Sequence, residues 1–125
     1  SPVQASSRIY SSQDIERWHI NEMKSLLSRF SGVKFIFDNV KQKYYPVLRD
    51  AITSFRSKNE GKPLVVIDDT PFIDFDILDY PVNDIEEIFL LKGTNTAIWG
   101  PKASNGIIVI ITQRGKSTKI EQKEE

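Results

Sequence analysis

The chain has 125 residues, 39% hydrophobic and 27% charged, with 17 Lys and Arg against 17 Asp and Glu, one His and no Cys. That suffices for one domain with a modest core, is too apolar for a disordered chain, and contains no apolar run near the ~18 residues of a spanning helix. The lack of cysteine excludes disulfide staples, thiolate metal sites and cysteine nucleophiles, without naming a compartment. Charge is unevenly placed. Residues 1–62 carry 11 basic and 6 acidic side chains, residues 63–125 carry 6 and 11, and eight carboxylates stand between Asp68 and Glu87 with no Lys or Arg among them. The basic residues of the first half are scattered and form no aromatic-lined basic face, which argues against a nucleic-acid binder. The start, Ser1-Pro2, has no methionine and no signal-peptide pattern, so the chain reads as a mature fragment or an excised piece.

Residues 1–7 read as a flexible lead-in, 8–115 as the domain, and 116–125 (KSTKIEQKEE) as a polar tail. Ser11 and Asp14 have the spacing of a capping box. Apolar residues follow at Ile15 and Trp18, then at Met23, Leu26, Leu27 and Phe30, the second set on one helical face. The gap between the sets predicts two short helices, or one kinked near His19, with Asn21 as second cap and Gly32 as the left-handed stop.

Val33–Asp38 alternates as a strand with Val33, Phe35 and Phe37 on one face and Lys34 and Asp38 on the other. A polar linker leads to a strand over Tyr44–Arg49, placed near an edge by Pro46. Residues 56–63 read as a loop, Leu64–Ile67 as a short strand covered on both faces, and Asp68–Tyr80 as a long surface loop with apolar anchors. Pro81 can open a helical turn, Glu86–Leu91 is a strand, and Ile107–Thr112 is the strongest strand signal, five β-branched apolar residues before a threonine. Helices and strands mix without βαβ alternation, which predicts an α+β fold with a small mixed β-sheet and short helices.

Between the last two strands lies Lys92–Gly106. A phosphate-binding loop would need two glycines five apart followed by Lys, but Gly93 and Gly100 are seven apart and Pro101 interrupts. The stretch reads instead as a joint. Gly93 lets the chain turn, Thr94 or Asn95 caps a short helix holding Ala97, Ile98 and Trp99, Gly100 ends it, and Asn105-Gly106 turns into the final strand.

With those residues placed, "DIEEIFLLKGTNTAIWGPKASNGIIVIITQRG" (84–115) resembles the signature of the plug domain of TonB-dependent outer-membrane receptors. The matching positions include Asp84, Ile85, Glu86, Lys92, Gly93, Trp99, Gly100, Asn105, Gly106, Thr112, Arg114 and Gly115. Upstream, "PLVVIDDTPF" resembles the family's P-L-x-V-I-D-G-x-P, and "SSQDIER" and "LLSRFSGVKF" its opening helix and following strand. The A-S-N-G version is most similar to receptors of the Bacteroidetes type. Asp69 stands where the family has Gly, and Trp99 where Tyr or Phe is usual.

The resemblance implies a mixed α/β domain that occludes a large β-barrel until TonB, pulling on a segment upstream of Ser1, opens a path for a bound nutrient. No bond is made, so no enzyme, metal or cofactor is implied. An alternative use of the fold is a barrel-less, protein- or ligand-binding module at the end of a cell-envelope protein, and the EQKEE ending fits that reading. A parent gene continuing after Arg114 in alternating segments of about ten residues would decide for the receptor.

In the family, plug loops contact substrate, which makes Asp69, Phe72, Asp74, Phe75 and Asp76 the expected ligand or partner contact. The acidic stretch itself reads as a solvated loop, because Asp68, Asp69, Asp74, Asp76 and Asp79 lack the spacing of a Ca²⁺ loop. His19, with no nucleophile in pattern with it, reads as a helix-surface residue.

Overall fold

In the computed structural model of the chain, residues 5–49 and 61–115 are described. The first part of the expected 56–63 loop and the polar tail lie outside them. The fold is α+β. A five-stranded mixed sheet runs in the order β1 (Tyr10–Ser11), β6 (Ile85–Leu91), β7 (Ile107–Thr112), β4 (Leu64–Ile67), β5 (Thr70–Phe72), and a separate two-stranded sheet pairs β2 (Val33–Asp38) with β3 (Lys43–Leu48).

β7 lies at the centre, parallel to β4 and antiparallel to β6. That placement explains its sequence, because a strand covered on both faces has no solvent side to make polar. The register aligns Leu90, Ile108 and Val65 in one row across three strands and Leu91, Ile107 and Leu64 in the next, so alternate residues feed opposite faces. One face joins Val65, Ile88, Leu90, Ile108 and Ile110 to Ile15, Met23, Leu26, Leu27 and Phe30 in the main core. The other collects Leu64, Val66, Leu91, Ala103 and Ile107, with Trp99, Phe89 and Val109 half-buried against them. Each such fully buried Leu or Ile contributes roughly 1.5–3 kcal/mol.

Two short helices cover the main core, α1 (Ser12–Arg17) and α2 (Met23–Leu27). The capping box at α1 is present: the Asp14 backbone N–H donates to Ser11 Oγ at 3.3 Å, and the Asp14 carboxylate accepts the Ser11 N–H at 2.9 Å. The bond from the Ser11 N–H holds the Asp14 carboxyl below its usual range. The break falls at His19, whose φ is 55°, and Gly32 (φ 84°) turns the chain into β2. Asn21 is not the second cap: Glu22 takes that position and makes no side-chain bond to α2. Burial of Met23, Leu26 and Leu27, all at 0% exposure, is what holds so short a helix.

The smaller sheet is a hairpin of β2 (Val33–Asp38) and β3 (Lys43–Leu48), in which Phe35 faces Pro46 and Phe37 faces Tyr44. Among the described residues each strand has one partner, which puts Pro46 at an edge as expected. The face assignment fails at the far end. Phe37 is 41% exposed while Asp38 is 8% exposed. The Asp38 carboxylate is drawn inward by three donors, and Phe37 lies past the rim of the core.

The acidic stretch is not a loop throughout. It begins with the hairpin β4–β5, continues to a 3₁₀ turn at Ile77–Asp79 that buries Ile77, and reaches a second at Val82–Asp84 after Pro81. Here hairpin and helical-turn geometry outweigh the low strand propensity of an Asp- and Pro-rich segment.

Candidate functional site: the two ends of the central sheet

The family-signature residues gather at opposite ends of the larger sheet. At one end β4 finishes, β6 starts and β7 finishes. The turn from β4 to β5 has two central residues, Asp68 and Asp69, with φ of 48° and 69°, between the paired Ile67 and Thr70. Two successive positive φ values make the primed hairpin turn that suits strand twist. Asp69 therefore keeps the backbone that a glycine would adopt freely, at a cost of about 1 kcal/mol.

Asp68 is fixed there by its bonds. Its N–H donates to the Ile110 carbonyl at 3.0 Å, and its carboxylate accepts the Thr112 N–H at 2.9 Å and the Thr112 hydroxyl. Thr112, with no exposed surface, accepts the Gly115 N–H on the same hydroxyl at 3.1 Å. A Cβ on Gly115 would collide with the Asp68 carboxylate, so the glycine answers a close approach. Arg114 reaches Asp84 at 3.7 Å, and Asp84 also accepts the Tyr80 hydroxyl. Burial, then the bond to Asp84, pushes the Tyr80 phenol well above its usual range. The acids of V-I-D and D-I-E and the polar residues of T-x-R-G thus form one carboxylate anchor on the chain leaving β7.

The opposite end holds the joint. A 3₁₀ turn runs from Gly93 to Trp99 and a second from Pro101 to Ala103. The first starts one residue before the expected caps: Lys92 is the capping position, and neither Thr94 nor Asn95 caps through its side chain. Asn95 instead donates its amide to Ser6 Oγ at 2.8 Å. Ser6 Oγ also accepts the Lys92 N–H and Ser7 Oγ the Leu90 N–H, each at 2.8 Å, which ties residues 6 and 7 to the edge of β6. Gly100 ends the first turn at φ 76° and ψ −164°, a conformation open essentially to glycine alone. Gly106, at φ 90°, turns the chain into β7, and the Asn105 amide donates to the Lys62 carbonyl at 3.3 Å.

Lys62 leads to the largest polar cluster. Its ammonium lies 2.9 Å from both Asp38 and Asp74. Lys41 reaches Asp74 and Asp76 at 3.1 Å, and Lys43 reaches Asp79 at 2.6 Å and Asp76 at 3.6 Å. The Lys62 bond, helped by N–H groups of Lys41 and Val40, pulls the Asp38 carboxyl down to about 2. Burial works against the charge on Lys62, but bonds to Asp74 and Asp38 outweigh it and its affinity for the proton rises. Lys41 and Lys43 shift upward through Asp76 and Asp79 first, and Asp74 shifts downward through Lys62 first.

Three of the acids assigned to a solvated loop, Asp74, Asp76 and Asp79, are therefore ion-paired. Their partners Lys41, Lys43 and Lys62 escaped sequence reading, although the split between a basic first half and an acidic second half was their trace. Phe72 (37% exposed) and Phe75 have ring centroids 5.2 Å apart, next to Ile73 at 58% exposure. Asp69 stays on the turn at the far end from Asp74 and Asp76, so the five expected contact residues do not converge on one point. Among the described residues no three His, Asp or Glu side chains are grouped as metal ligands.

These features define a small mixed-sheet α+β domain with a carboxylate anchor at one end and a glycine-hinged joint at the other. The chain belongs to the TonB-dependent receptor plug domain family, whose pattern it matches over residues 1–107. It is similar in fold to the siderophore receptor PirA from Acinetobacter baumannii, with 19% identity and a TM-score of 0.66 over 88% of this chain and 18% of that one. The ferric enterobactin receptor PfeA from Pseudomonas aeruginosa, in complex with enterobactin, gives 17% identity and a TM-score of 0.64 over 90% and 18%. The chain thus spans under a fifth of the receptors it matches. The family is one of outer-membrane receptors and places the chain at the bacterial cell envelope. Among the described residues no helix is long and apolar enough to cross a membrane.

Proposed function

We propose that this domain is the gate of its parent receptor, filling the lumen of a β-barrel and moving aside, without catalysis, to admit a nutrient. The observation that carries this reading is the plug-family match over residues 1–107. The polar surface supports it, because the lumen of a large barrel is polar and water-filled. The energy for opening comes from the TonB system, acting on a segment upstream of Ser1. The nutrient contact lies on the Asp69, Phe72, Asp74, Phe75 and Asp76 stretch, where Phe72 and Ile73 offer apolar surface beside acids already paired with lysines. The neighbour PirA is a siderophore receptor and PfeA a ferric enterobactin receptor, so a ferric chelate is the first ligand class to test.

The test is deletion of residues 8–115 from the parent protein in cells. The expected result is an outer membrane leaky to large hydrophilic antibiotics, with nutrient uptake no longer dependent on TonB. Unchanged permeability, or a parent gene without alternating strand segments, would overturn the gate in favour of a barrel-less binding module.

A further inference from the structure

The β2–β3 hairpin is attached to the rest of the domain in two different ways. Its base is packed: Leu48 is 0% exposed and Val47 4%, and Val33 and Phe35 lie against the main core. Its far half contributes almost no buried apolar surface. Ile36, Phe37, Tyr44 and Val40 are 42%, 41%, 51% and 91% exposed. What ties that half to the β5 side is the lysine–aspartate cluster, which bridges segments that are distant in sequence.

The cluster is graded. Its inner pair, Lys62–Asp38, has side-chain exposures of 14% and 9%. The outer pairs are open: Lys41 and Lys43 at 32% and 47%, and Asp74, Asp76 and Asp79 at 44%, 45% and 63%. Open pairs are individually weak and are screened by salt, whereas a sheltered pair is screened much less. Asp38 also accepts the N–H groups of Val40 and Lys41, at 2.9 and 3.2 Å, so the sheltered pair is built into the hairpin turn itself.

We propose that residues 36–44 form a flap with Asp38–Lys62 as its sheltered inner tie and the Lys41 and Lys43 pairs to Asp74, Asp76 and Asp79 as its catch. Beside the catch is a small cavity walled on one side by Pro46, Val65, Phe75 and Ile77 and on the other by the cluster's own charged side chains, with room for about one water at 20 Å³. Opening the catch uncovers that wall and releases the Asp76 and Asp79 carboxylates, while Asp74 stays with Lys62, Ile77 stays buried and the base of the hairpin stays in the core. The flap is a property of these side chains and does not depend on the domain acting as a gate.

Peptide-resolved hydrogen exchange on the intact parent protein, in 0.05 M and then 1 M NaCl, tests this. Screening at the higher salt acts within about 3 Å. Amides of residues 36–44 are expected to exchange about tenfold faster at high salt, with 33–35, 46–48 and β7 unchanged. The double variant Lys41→Met, Lys43→Met should exchange fast in that region already at low salt and lose the salt response. The salt comparison on the unaltered protein is decisive even if the variant misfolds. Exchange of 36–44 that ignores salt, or that rises equally at 46–48 and in β7, would overturn the flap.

Discussion

Thr112→Val tests the carboxylate anchor at its centre. Valine has nearly the shape of threonine and the site is fully buried, so no cavity forms and only the hydroxyl is lost. Two bonds go with it: the donation to the Asp68 carboxylate and the acceptance from the Gly115 N–H. A hydrogen bond to a charged group contributes roughly 1.5–3 kcal/mol, and the lower part of that range applies because Asp68 keeps the Thr112 N–H and is open to water. The expected loss is about 2 kcal/mol, or roughly 8 °C in melting temperature for a domain of this size. Urea unfolding of Thr112→Val, of Asp68→Asn and of the double variant isolates the interaction, and Asn suits this cycle because it tolerates the positive φ of position 68. The cycle should give a coupling of about 1–2 kcal/mol. A Thr112→Val variant within ~0.5 kcal/mol of the parent, or a coupling near zero, would refute the claim that these residues act as one anchor.

Four further outcomes are expected. Because the folded-state pKa of Asp38 is about 2, below the ordinary carboxyl value, its stabilising effect is complete above about pH 5 and is lost as pH falls towards 2. The stability gap between the parent and Asp38→Asn, followed by acid titration of fluorescence, should shrink over that interval, and a gap independent of pH would contradict the assignment. Alanine at Gly93, φ 58°, should cost about 1 kcal/mol, and alanine at Gly100, φ 76° and ψ −164°, about 2–3, so thermal melts should rank the two in that order. Leu26→Ala, at a site with no exposure, should cost 2–5 kcal/mol in denaturant titrations. Phe72→Ala, at an exposed site, should leave folding nearly intact but weaken binding of a ferric chelate to the parent receptor, measured by calorimetry; unchanged affinity would remove that surface from the nutrient path.

Elements that declare themselves by local pattern were legible in the sequence. Ile107–Thr112 could only be a buried strand, Ser11 and Asp14 could only cap a helix, and Gly32, Gly100 and Gly106 each took the positive φ their positions implied. What local pattern could not reveal was pairing across distance. The strand Tyr10–Ser11 is two residues long and exists because β6 offers it an edge at Ile88. The β5 strand contains Pro71 and follows two aspartates, and its formation is set by the turn at Asp68-Asp69 and its partner β4. Lys41 and Lys43 lie more than thirty positions from the acids they pair with, and no periodicity links such residues. The phase error at Phe37 and Asp38 has the same origin, since alternation describes a strand but cannot say where the core beneath it stops.

The distribution of stabilising forces bears on how such a domain could move. The larger sheet is covered on both faces at its centre, and its exit strand is tied by Asp68 to a neighbouring hairpin. Displacing β7 would break two parallel or antiparallel ladders and expose apolar residues on both faces at once. Among the described residues the seam to the far half of β2–β3 is made mainly of lysine–carboxylate pairs, with a bond from Lys41 to the Asp74 carbonyl, and the members of the open pairs regain water as they part. A disturbance of given size therefore acts first at that seam and last at β7. Part of the charge split along the sequence lies in this seam, with Lys41 and Lys43 on one side and Asp74, Asp76 and Asp79 on the other. Reversing the signs of Lys43 and Asp79 together should therefore preserve the seam, whereas Lys43→Glu alone should loosen it. Equal hydrogen-exchange protection of residues 36–44 in the single and double variants would show that charge complementarity is not what closes it.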